Sequence, residues 1–281
     1  MMDRPFIEFM QVQRLPWNGE GAVGPGVRDG ARIRVLSIDP ADGACSLLVQ
    51  YPPGWRRERS ETLTADEELF VVSGDLTIGE QTYGRYGYGH LPAGHCRHGM
   101  SSVEGAVVLT FFSAHPESRA ASAHASGWQE ERLVAHVDSL AGEWGGGFHP
   151  RFPPGAGRKW LRRDPVTGDD TWILGTMPLR SGRRAEKHPV VEEMYLLSGE
   201  LHGHLGVMRP GAYFWRPPEE WHGPFGSLTG NVLLFRTVGG PLSTEYREEE
   251  TEFSWFPPDD PILPSELETL PQWSGCSCTA Y

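Results

Sequence analysis

The feature that most constrains this chain is that it repeats itself. At an offset of 125 residues, positions 39 to 92 match positions 164 to 217 at 13 places without a gap. Asp39-Pro40 and Gly43 match Asp164-Pro165 and Gly168; Pro53, Arg59 and Glu61 match Pro178, Arg184 and Glu186. Glu67-Glu68 and Ser73-Gly74 match Glu192-Glu193 and Ser198-Gly199, and Leu76, Tyr88 and Pro92 match Leu201, Tyr213 and Pro217. Ordinary residue frequencies would give roughly three such identities. The chain is therefore a duplication, and its fold is one that a single repeat can specify twice. His98 falls into line with His222 at an offset of 124, which implies one residue gained or lost just before that histidine.

The repeat sets the expected domains. Residues 1–127 form the first, closing with an Ala- and Ser-rich linker from His115 to Gly127; residues 128–250 form the second. Residues 251–281 have no alternating pattern and are expected to be an extended arm anchored by Phe253, Trp255, Phe256 and Trp273. Within each copy the apolar runs are short and separated by Gly or Pro turns. Ile33–Ile38, Cys45–Tyr51, Glu68–Val72 and Val107–Phe112 correspond to Thr171–Met177, Glu193–Leu197, Tyr213–Arg216 and Val232–Val238 in the overall plan of strands. With 35 Gly and 24 Pro in 281 residues, such runs predict an all-β chain of antiparallel sandwiches or barrels. Glu130–Leu140 is the main helix candidate and fits a strand equally well.

Composition narrows the partners. Against 25 Lys+Arg stand 37 Asp+Glu, a net charge of −12 that disfavours nucleic acid and anionic membranes. No apolar run is long enough to span a bilayer and the N-terminus does not read as a signal peptide, so a cytoplasmic protein is expected. Four cysteines, Cys45, Cys96, Cys276 and Cys278, do not make a disulfide framework in a chain of this length. Cys276 and Cys278 could hold a soft metal, but an ordinary tail explains them better. A Gly-x-Ser-x-Gly elbow and a phosphate-binding loop are both absent.

The chemistry concentrates in copy two. Glu186 and His188 are two residues apart and share a face on a strand; Glu192 follows after a short corner and His222 after a second strand. Two imidazoles and one or two carboxylates can close around one divalent ion without filling every coordination position. If Glu192 points into a barrel, Met194 and Leu196 do too and would line a substrate pocket; Arg236, among apolar neighbours, is a candidate anchor for an anionic substrate. His202 and His204 are read as an exposed hairpin. Copy one has Leu63 where copy two has His188, and keeps Glu61, Glu67 and His98. It reads as a barrel retained for packing, dimerisation or ligand binding.

The spacing of His188, Glu192 and Gly199 resembles the first cupin motif, and Gly211, Pro217 and His222 resemble the second; the wording is most similar to ChrR-type cupin-like domains. The resemblance implies two tandem cupin barrels (double-stranded β-helix, or jelly roll), with His188, Glu192 and His222 in three of the family's four ligand positions. Glu186 stands where the family normally has a histidine. It also implies one divalent metal ion per chain, with Fe(II) favoured and Zn(II), Mn(II) or Ni(II) as alternatives, and a small-molecule substrate; a homodimer is expected. Two His and a carboxylate with open positions suit a non-haem Fe(II) oxygenase, with Glu186 as fourth ligand or general base. The alternatives are a metal-dependent isomerase, lyase or hydrolase, or a non-catalytic regulatory module like that of ChrR. Residues 1 to 30 contain no Cys or His, which disfavours the last.

Overall fold

The structure, a computed structural model, describes residues 4–17, 22–146, 149–152 and 154–268. They form two compact units: one contains residue 4 and Leu15–Ala141, the other Pro5–Arg14 and residues from Gly142 onward. Among the described residues the only helical elements are 3₁₀ turns at Val12–Arg14 and Glu130–Arg132. None is long and apolar enough to cross a membrane, which leaves β-barrel spans untested.

Each copy opens with the same turn. The Asp39 side chain accepts from the Ala41 amide, while the Gly43 amide closes on the Asp39 carbonyl at 2.9 Å. In copy two Asp164 accepts from the amides of Val166 and Thr167, and the Gly168 amide closes on the Asp164 carbonyl at 3.0 Å. A side-chain-capped turn with glycine at positive φ reverses the chain into Cys45–Tyr51 and Asp170–Thr176 respectively. The duplicated Ser-Gly pairs have an equally local cause. Gly74 and Gly199 have φ of 74° and 78°, and a Cβ on either would strike the carbonyl of Gly105 or Gly230 on the neighbouring loop.

The larger sheet of the first unit has the order Val134–Asp138, Gly87–Leu91, Glu67–Gly74, Ala106–Phe112, Cys45–Tyr51, Arg32–Ile38. That of the second is Ile7–Gln11, Ala212–Arg216, Val191–Gly199, Asn231–Val238, Asp170–Thr176, Ala156–Arg163. A four-stranded sheet completes each unit: Trp55–Arg57, Met100–Ser102, Leu76–Ile78 and Gln81–Tyr83 in the first, Arg180–Ser181, Gly226–Ser227, Leu201–Gly203 and Gly206–Met208 in the second. The repeat extends to register: Glu67 faces Leu91 and Phe112, and Glu192 faces Arg216 and Thr237. Between the sheets lie the cores, Leu47, Val49, Leu69, Val71, Tyr83 and Val108 in the first and Trp172, Met194, Leu196, Phe214 and Leu233 in the second.

The edge strand in the first place of each order is where the sequence boundaries shift. In the first unit it is Val134–Asp138, paired with Gly87–Leu91, so the helix candidate is a strand and the unit runs past residue 127 to Ala141. In the second unit the same place is taken by Ile7–Gln11, paired with Ala212–Arg216. The N-terminal segment therefore belongs to the second unit, where its backbone pairs along the edge of Ala212–Arg216. The arm follows the second unit through Ile262, whose backbone exchanges two 2.8 Å hydrogen bonds with Glu8. Phe253 lies over Gly226 and stacks edge-on with Trp255 at 4.7 Å, whereas Phe256 is 89% exposed and anchors nothing. Trp273, Cys276 and Cys278 lie outside the described residues.

Candidate metal centre

Alternation along Val191–Gly199 points Glu192, Met194 and Leu196 into the second barrel and Glu193 out of it. Glu186 lies on the short strand Glu186–Lys187 beside Glu245–Tyr246. Its backbone also exchanges two 2.9 Å hydrogen bonds with His222, so the same few atoms place Glu186 and His222 together. His188 is tied in turn by its carbonyl, which accepts from the Glu219 amide at 2.8 Å.

Both imidazoles are oriented from behind. His188 Nδ1 lies 2.9 Å from the Ser243 carbonyl and His222 Nδ1 2.9 Å from the Glu220 carbonyl. Nδ1 must carry the proton to meet a carbonyl, which leaves a lone pair on each Nε2. These two Nε2 atoms are buried and, among the described residues, have no hydrogen-bond partner. Around them, Glu192 Oε1 stands 3.6 Å from His188 and Oε2 3.5 Å from His222. Donors about 2.1 Å from a shared ion stand about 3.0–3.5 Å apart, close to this spacing. One donor atom each from Glu186, His188 and His222 also fall within 4.8 Å of one another. Two orphaned imidazole nitrogens facing two carboxylates are a donor set suited to a divalent cation. His222 is kept neutral by burial first, and then by the Arg216 guanidinium and His188, which push its pKa well below the usual value.

Glu192 is held from its other side by Arg216, whose Nη1 donates to Glu192 Oε2 at 2.5 Å. Arg216 also grips Glu8 through Nε and Nη2, the latter at 2.6 Å, and its guanidinium lies 3.5 Å from the centre of the Phe214 ring. Glu192 is thus oriented by a buried cation that is itself neutralised by the N-terminal strand. Burial pushes the Glu186 carboxyl above its ordinary range, opposed by nearby His188. Burial and the neighbouring Glu186 in turn raise the Tyr246 phenol.

Glu186, His188 and Glu192 line a cavity of about 750 Å³. Its apolar lining includes Trp172, Leu174, Phe214, Phe225 and Phe235, and its polar lining includes Arg158, Arg180 and Tyr246. Met194 and Leu196 share the inward face of Glu192 but sit in the packed core and do not line this cavity. Arg236 does not line it either. It faces Glu193 across the strand pair and donates to Glu193 Oε2 at 2.5 Å on the opposite side of the sheet. Arg158 and Arg180, which line it together with Arg151, Arg183, Arg184 and Arg216, follow no spacing rule and had no signal in the sequence. His202 differs from the exposed residue expected: it is buried, with Nδ1 2.9 Å from the Trp255 carbonyl, because the arm covers that hairpin, while His204 is exposed at its tip.

The first unit shows what the same place becomes without histidines. Glu61 exchanges backbone hydrogen bonds with Arg97, as Glu186 does with His222, so the offset stays at 125 and His98 is not the counterpart of His222. The His98 carbonyl instead accepts from the Gly79 amide. Leu63, at the place of His188, is packed in the core. Glu67 receives Arg97 Nε at 2.9 Å and is paired with Arg28, and Glu61 is paired with Arg57. Guanidinium groups stand here where the second unit offers lone pairs, and burial lowers the Arg97 pKa to about 10.

The model of the family described as "Domain of unknown function (DUF4437)" matches residues 22–244. No curated protein matches the chain. Among solved structures, one described as a "putative dioxygenase" from Nostoc punctiforme is similar at a TM-score of 0.78 and 20% identity, over 88% of this chain and 92% of that one. Oxalate decarboxylase from Bacillus subtilis is similar at a TM-score of 0.57 and 13% identity, over 85% of this chain and 78% of that one. At these identities the likeness concerns the fold, which is that of two tandem cupin barrels.

Proposed function

Since the chain belongs to the DUF4437 family, we propose that it is a cupin metalloenzyme acting on a small organic molecule, with a single metal centre in its C-terminal barrel. The observation that carries this is the pair of buried, partnerless Nε2 atoms of His188 and His222 facing Glu192 beside an apolar cavity. His188, His222 and Glu192 would hold the ion, with Glu186 as fourth ligand. Fe(II) bound by two histidines and a carboxylate would supply open positions at which substrate and O₂ can meet, which makes oxygenation the favoured reaction. Arg216 orients Glu192 by donating to its Oε2. The likeness to the Nostoc punctiforme protein, described as a "putative dioxygenase", supports the same reaction class.

The test is metal analysis of protein purified without added metal, followed by oxygen-electrode assays with ketones, phenols and keto acids. The proposal expects one metal per chain and Fe(II)-dependent O₂ consumption with at least one of these classes. Turnover supported by Zn(II) or Mn(II) without O₂ uptake would replace the oxygenase with an isomerase, lyase or hydrolase on the same centre.

A further inference from the structure

The cationic side chains around the cavity are nearly all spoken for. Arg216 is bound to Glu8 and Glu192, Arg151 donates to Glu248 at 2.8 Å, and Arg184 donates to the carbonyls of Arg247 and Glu248. Arg183 is paired with Glu250 at 3.6 Å with its side chain 78% exposed, and Arg158 lies 4.8 Å from the centres of both Trp160 and Trp172. Arg180 is different. Among the described residues it makes no ion pair and no side-chain hydrogen bond, and its Nε is buried without a partner. Its guanidinium is positioned by the ring of Phe152, 4.3 Å away, and by its place on the Arg180–Ser181 strand beside Gly226–Ser227.

A half-buried guanidinium without a counter-ion is costly, because a desolvated charge is stabilised only by a partner or by hydrogen bonds. Burial accordingly lowers the Arg180 pKa, and the charges that oppose this are Glu186 and Tyr246, which also stand at the cavity. The rest of the lining near the centre is aromatic and aliphatic, and a cavity of about 750 Å³ has room for a molecule with a ring or branched body. We propose that Arg180 is the anion anchor of the substrate subsite, and that the substrate is a monocarboxylate with an apolar, ring-sized body lying against Trp172 and Phe235. A monoanion is favoured over a phosphate dianion because one free guanidinium faces the ligand and the carboxylate of Glu186 shares the cavity. The proposal rests on the metal-centre reading only to identify this cavity as the place of reaction.

Benzoate, its neutral analogue benzamide and phenyl phosphate serve as probes, titrated calorimetrically into the metal-loaded and the metal-stripped full chain. Benzoate is expected to bind roughly tenfold or more tightly than benzamide, the difference that one charged hydrogen-bond pair makes. In Arg180→Gln that preference falls to about one, and in Arg180→Lys part of it returns, while the metal content of both variants stays at the wild-type level. Equal binding of benzoate and benzamide by wild type, or a preference that survives Arg180→Gln, would overturn the anchor and leave the metal centre standing. Tighter binding of phenyl phosphate than of benzoate would overturn the carboxylate assignment. A protein that retains no metal yet prefers benzoate through Arg180 would overturn the metal centre and leave the anchor standing.

Discussion

His222 and Arg97 occupy the same backbone position and have opposite consequences. His222, held by the Glu220 carbonyl, turns Nε2 towards Glu192; Arg97 presents donors to Glu67. The first unit thus supplies covalently, as a guanidinium, the positive charge that the proposed centre would take from solution. His222→Ala should reduce metal from one per chain to near zero, because the remaining donors bind a divalent ion poorly, whereas His98→Ala should leave it unchanged; elemental analysis reads both. Loss of metal in His98→Ala would show a working site in the first barrel. Glu8 makes a second prediction at this scale. Glu8→Ala leaves Arg216 buried with one carboxylate where it had two, and should destabilise the second unit by about 3 kcal/mol in urea denaturation. Asp164 carries a third. Burial opposes its ionisation, but the Thr167 amide, Arg162 and the Val166 amide hold its pKa well below the usual carboxylate range. With the folded pKa depressed, its contribution is full above the unfolded value of about 4 and is lost as pH falls through the folded one. Asp164→Asn should therefore cost about 1–2 kcal/mol at pH 7, with the deficit closing towards acid pH in melting curves taken from neutral pH down to about pH 2.

Among the elements, the edge strands were the hardest to assign. The strand Ile7–Gln11 covers the open edge of Ala212–Arg216 and brings Glu8 to Arg216, and through it to Glu192. Removing residues 1–14 should expose that sheet edge, lower the melting temperature of the second unit and weaken metal binding together, as read by calorimetry and metal titration. If metal affinity is unchanged in the truncated chain, the link from Glu8 to Glu192 is structural only. The inner strands were legible in sequence because Val, Leu and aromatic runs between Gly and Pro turns are local signals. Edge strands such as Ile7–Gln11 and Val134–Asp138 are recognised by their partners, and no local pattern says which sheet a strand will join.

For the whole molecule, duplication followed by divergence has left two barrels with one donor set. A ligand stabilises only the fold that binds it, so stripping the metal with a chelator should lower the melting transition assigned to the second unit and spare the first. Calorimetry of the stripped and reloaded chain, with His222→Ala as reference, checks this; an equal shift of both transitions would mean that the units unfold together. The sequence alone determined the duplication, the all-β class and the clustering of Glu186, His188, Glu192 and His222, because turn residues and ligand spacing are local and the repeat displays them twice. Tertiary structure decided that Ile7–Gln11 completes the second unit and that Arg97, not His98, stands opposite Glu61. It also decided that Arg236 faces Glu193, while Arg180 beside the cavity has no ion-pair partner among the described residues. Each of these depends on which face a strand presents and which charge meets it there, and residues far apart in sequence settle that only when the sheets close.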